Sequence, residues 1–132
     1  MFNRVSGIVD DQPPFEYYLL TDATGATRGE ALVQSSGRLA LCPDTSTPEF
    51  IAVKTQAAEA TSVTPLPVIR VRETDEFATT ASATVASTLV GSKVTLETDA
   101  LRVTATTTSG VFEISYTDGA TGGGVVRGYF RR

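Results

Sequence analysis

Between residues 93 and 116 the chain alternates apolar and polar positions three times in succession. Val94 and Leu96 oppose Thr95 and Glu97; Leu101, Val103 and Ala105 share one face; Val111, Glu113 and Ser115 oppose Phe112, Ile114 and Tyr116. A period of two is the signature of a strand with one face buried. The turns "TDA" (98–100) and "TTSG" (107–110) separate these three runs. The pattern recurs upstream. "GEALVQSSGRLALC" (29–42) predicts a hairpin, with Gly37 supplying a positive φ in the "SSG" turn. In 49–55, Phe50, Ala52 and Lys54 fall on one face and Ile51 and Val53 on the other. Pro65 and Pro67 place the start of the 65–73 strand at an edge or outside the ladder. Further strands are predicted at 15–20, 76–81, 88–98 (with Gly91 as a turn or bulge) and 125–130.

The breaks between these runs are polar. "DDQPP" (10–14) loses two backbone donors to proline and favours an extended path. Residues 56–63, "QAAEATSV", fit a short helix or a polar loop equally. "TDGATGGG" (117–124) reads as a flexible connection. The expectation is therefore an all-β chain: a compact small β-barrel or β-sandwich of about eight to ten short antiparallel strands. Residues 1–14 form an extended N-terminal arm and 15–132 a single β domain. An ordinary first strand accounts for the segment from Phe2 equally well.

Composition then removes function classes. A net charge of −4 and a pI of about 4.7 argue against nucleic acid as the main partner, which demands a basic face. Arg127, Arg131 and Arg132 form a local basic cluster or a solvated chain end. The N-terminus lacks the apolar run of a signal peptide, and no stretch approaches the ~20 apolar residues of a membrane span; a soluble protein is expected. Cys42 is the one cysteine, so no intrachain disulfide forms, and it reads as a small buried hydrophobe. The chain has no histidine, which leaves a thiol or serine nucleophile without its usual base. The acidic clusters Glu73-Asp75-Glu76 and Asp10-Asp11 lack EF-hand spacing. "GGG" (122–124) lacks the Lys-Ser/Thr and helix of a phosphate loop. No catalytic residue, metal ligand or cofactor site is predicted. What remains is a structural assembly protein, or a carbohydrate- or receptor-binding β module displayed on a virion or cell surface.

Three stretches bear on that choice. "GEALVQSSGRLALCPDTSTPEFIAV", "PLPVIRVRETDEFATTAS" and "VGSKVTLETDALRVTATTTSGVFEI" resemble, in that order, the decoration (cement) proteins of tailed-bacteriophage capsids, and "GIV…PFEY" is similar too. The resemblance spans about Gly7 to Val126 and rests on strand-and-turn patterns. It implies a structural virion protein that binds the outside of an assembled head and resists internal pressure. The implied partner is the major capsid protein, with assembly in the host bacterial cytoplasm. It also implies a homo-oligomer, with a trimer carried over, and no direct nucleic-acid or membrane contact. Under this reading the stretch Phe2–Tyr18 faces the capsid, with Phe2, Arg4, Val5, Ile8, Phe15, Tyr17 and Tyr18 as contacts that add a strand to a neighbouring sheet edge. Tyr129 and Phe130 on the closing strand are the candidate subunit contact.

Overall fold

The computed structural model describes residues 1–7 and 13–131. Ile8 and the Asp10-Asp11 pair lie outside the described residues, as does Arg132.

Among the described residues ten strands account for the fold: β1 (Asn3–Ser6), β2 (Phe15–Tyr18), β3 (Ala31–Ser35), β4 (Arg38–Leu41), β5 (Phe50–Ala52), β6 (Leu66–Arg70), β7 (Glu76–Thr80), β8 (Lys93–Val94), β9 (Phe112–Thr117) and β10 (Val125–Phe130). They form two five-stranded antiparallel sheets, ordered β1-β7-β10-β9-β8 and β2-β6-β5-β3-β4. The sheets pack face to face as a sandwich. The first two strands sit on different sheets, each at an edge.

The hydrophobic residues form two cores. The larger lies between the sheets. Phe2, Phe77, Phe112 and Phe130 meet there with ring centroids 5.1 to 5.8 Å apart and the rings inclined to one another, within the separations at which aromatic quadrupoles attract. The smaller core lies on the other face of the second sheet: Leu32, Leu39, Phe50, Ala52, Leu66 and Val68, with Leu20 and Ala26 from the loop after β2. The second sheet curls around it. Leu39 N–H donates to Leu19 O at 2.9 Å and Thr21 N–H to Leu39 O at 3.0 Å, so the continuation of β2 reaches the far strand β4. This single parallel bridge joins the ends of the curl without closing the sheet into a barrel.

The double core explains β5. Its alternation predicts two faces, and both are buried: Ile51 faces the first sheet, while Phe50 and Ala52 face the smaller core. Elsewhere local chemistry decides. The β3–β4 hairpin turns at Ser36 (φ 52°) and Gly37 (φ 79°), the two positive dihedrals of a type I′ turn. No α-helix occurs among the described residues, so the helical option for 56–63 is excluded. Glu59 instead accepts hydrogen bonds from the Val63 and Thr64 amides and the Thr64 hydroxyl, which fold the segment as a loop. Among the described residues a single 3₁₀ turn spans Ser87–Leu89, which the alternation does not predict. The 88–98 and 101–105 runs are less regular than their alternation predicts. Only Lys93–Val94 joins the ladder, and Val103 makes isolated bridges to Leu96 and Ala81. The 117–124 connection is tied down by Asp118, whose carboxylate accepts the Ala120 and Val125 amides at 3.0 Å each.

Candidate functional site

The candidate contact residues divide by which way each strand turns them. Phe2, immediately before β1, points inward and is 2% exposed, in contact with Phe112 and Phe130. Two residues on, Arg4 also turns inward and is mostly buried. Its Nε lies 3.3 Å from Asp75 Oδ1. Arg72 closes on the same carboxylate with a fork, Nε to Oδ2 at 2.9 Å and Nη2 to Oδ1 at 3.1 Å. Asp75 is completely buried. A buried carboxylate needs such partners, and breaking the set would strand charge in the interior. Gly7 extends the arrangement, since a Cβ there would collide with Asp75 Oδ1. Residues 1–7 are thus part of the domain rather than an arm beside it. Removing residues 1–14 would take Phe2 from the core and Arg4 from Asp75, so that deletion would not leave the fold intact.

The exposed candidates are different. Val5 is half exposed, as is Phe15, and Tyr17 is 62% exposed. Phe15 and Tyr17 pair across the strands with Ile69 and Pro67, so they share the face that builds the larger core. At the edge of the second sheet that face opens to solvent. The opposite face of β2 is occupied. Tyr18 packs on Phe50 at 5.1 Å between ring centroids, and its hydroxyl donates to Glu16. Arg70 adds a two-pronged pair to Glu16 at 2.9 and 3.0 Å and lies 4.8 Å over the Phe50 ring. The Arg70 guanidinium, and after it the Tyr18 hydroxyl, hold the Glu16 carboxyl below its ordinary range. Among the β2 candidates, Phe15 and Tyr17 present free aromatic surface, whereas Tyr18 is engaged.

The closing strand offers less than its sequence suggests. Phe130 is fully buried and joins three other rings, so its assignment as a subunit contact is corrected: no part of its side chain reaches the surface. Phe2 is corrected as a capsid contact on the same ground. Tyr129 is half-buried under the Arg131 guanidinium at 4.9 Å. Arg131 also approaches Glu113 at 3.5 Å and donates to Glu73 O at 2.7 Å, and Arg127 stacks on Tyr116 at 5.1 Å. The arginines described in the C-terminal cluster are therefore engaged with neighbouring side chains.

A cleft of about 180 Å³ opens between β1 and the β5–β6 region. Phe2, Ile51, Val53 and Ile69 supply its apolar surface, and Arg4 and Arg28 stand over it. Nothing in the alternation singled out Arg28, which sits in a loop. Nor did it single out Asp75, although the Arg72–Asp75 spacing across a turn is visible in the sequence. Cys42 is buried as expected. Burial, with Glu49 and Asp44 adding negative charge nearby, pushes its thiol up to about 12, and a protonated thiol is a poor nucleophile. Among the described residues no group of three or more cysteine or acidic side chains is placed to hold a metal ion. No family model, curated protein or solved structure matches the chain.

Proposed function

We propose that this chain is a structural virion protein rather than an enzyme: a decoration protein that binds the outer surface of an assembled bacteriophage head and stabilises it. Its partner in this reading is the major capsid protein, and it acts as a homo-oligomer, with a trimer as the working stoichiometry. One observation carries the reading beyond the sequence resemblance. Nine large hydrophobic side chains are exposed among the described residues, and four of them, Met1, Val5, Phe15 and Tyr17, fall within the first seventeen positions. Both strands in that stretch lie at sheet edges. Exposed apolar side chains on edge strands, where one side of the backbone ladder is open to pairing, mark a candidate interaction site. Repetition over a lattice converts a modest contact of this kind into firm retention.

The test is pelleting with expanded, undecorated heads. Wild-type protein should pellet saturably at a fixed ratio to the major capsid protein. The double variant Phe15→Ala/Tyr17→Ala should fold normally and stay in the supernatant. The same aromatic pair also suits a carbohydrate platform, where rings stack on sugar faces. Binding to a glycan array without binding to heads would favour that second reading.

A further inference from the structure

The cleft beside β1 combines three properties. It is small: about 180 Å³, below the roughly 300 Å³ at which small-molecule sites begin. That volume suits one side chain better than a metabolite. Its rim carries a cation. Arg4 and Arg28 line it with no carboxylate among the described lining residues; Arg4 is committed to Asp75, but the exposed Arg28 guanidinium has no hydrogen bond or ion pair among the described residues. One wall is also a strand with an open side: β1 pairs with β7, and its other side is the edge of the sheet. Immediately before β1, Phe2 N–H donates to Gly29 O at 2.9 Å.

We propose that this cleft is a recognition slot for an extended, acidic segment of a partner protein. The segment lies along β1, seats one apolar side chain against Ile51, Val53 and Ile69, and sets a carboxylate on Arg28. Strand addition supplies affinity through the main chain, while alternate side chains supply selectivity. The charge preference follows from Arg28, the rim cation that no described side chain offsets, since a basic segment would set a like charge against it. Identifying the partner as the major capsid protein rests on the proposed function; the slot's preference does not. A larger open trough of about 390 Å³ beside Ser6, Thr74 and Tyr129 is a poorer candidate, because the one arginine lining it, Arg131, is committed to Glu113 and Glu73, whereas the slot keeps Arg28 besides the committed Arg4.

The test has two arms. In the first, immobilised wild-type protein selects from a library of random linear peptides. Enriched peptides should carry Asp or Glu beside a β-branched or aromatic residue. Arg28→Glu, an exposed change that leaves the fold alone, should weaken them roughly tenfold. Val53→Trp, which fills the cleft, should abolish their binding, with circular dichroism confirming that the variant is folded. No enrichment, enrichment without acids, or binding unchanged by Arg28→Glu would overturn the slot. In the second arm the same proteins are pelleted with undecorated heads. If peptides behave as expected but wild-type protein ignores heads, the decoration reading fails and the slot stands. If heads bind wild type and both variants equally, the slot fails as the capsid contact and the decoration reading stands.

Discussion

The two ends of the chain carry similar residues and use them differently. The N-terminal stretch holds Phe2, Phe15, Tyr17 and Tyr18; the C-terminal strand holds Tyr129 and Phe130. β10 runs through the middle of its sheet, paired with β7 on one side and β9 on the other, and its aromatic residues are buried or stacked beneath arginine. β1 and β2 lie at edges, where one face is spent on the core and the other left open. Phe2 and Val5 lie three residues apart and have opposite fates. The face a residue occupies and its strand's place in the ladder, more than residue type, decide whether a hydrophobic side chain holds the fold or stays exposed.

The sharpest way to break this comparison is to truncate the buried rings. Phe130→Ala and Phe2→Ala should each cost about 3–5 kcal/mol, read as a fall in the urea midpoint, because each leaves a cavity in the cluster of four packed rings. Phe2→Ala costing as little as Phe15→Ala would mean that the first strand is not integral to the domain. Next comes the buried carboxylate. Asp75→Ala should cost about 3 kcal/mol by leaving the mostly buried Arg4 without its acid. By contrast Phe15→Ala and Tyr17→Ala should each change stability by only about 0.5 kcal/mol, since exposed side chains give little to the fold. The smallest effect is a pH dependence. Burial, which outweighs the hydrogen bond from the Thr27 amide, raises the Glu30 carboxyl above its ordinary 4.5, and the charge of Asp99 adds to the rise. Its protonated form is therefore favoured by folding. The contribution is fully present below that ordinary value and is lost as pH rises through the raised one. Comparing Glu30→Gln with wild type at about pH 4 and about pH 8 should show the variant relatively more stable at the higher pH. Glu16, Glu59, Glu97 and Asp118 shift the other way and cancel in that difference.

Much of the fold was legible because alternation records which face is wet. It located β3, β4, β5, β6, β7, β9 and β10, and the SSG turn placed a positive φ at Gly37. It did not reveal that the second sheet is covered on both faces. Phe50 and Ala52 alternate with Ile51 whether the far side is solvent or a second core, and the cover comes from Leu20 and Ala26 in a loop with no period. The site was legible in part. That Phe15 and Tyr17 share a face opposite Tyr18 follows from parity alone. That Phe2 is core depends on β1 meeting β7 some seventy residues later, a pairing no local pattern encodes. The Arg4–Asp75 contact and the cleft under Arg28 are long-range for the same reason.

Hydrogen exchange on free and head-bound protein tests the central claim most directly. The account predicts added amide protection confined to residues 1–7 and 13–18, with residues 125–131 unchanged, since β10 is already paired on both sides. Protection appearing on residues 125–131, or nowhere while the protein is bound, would contradict it.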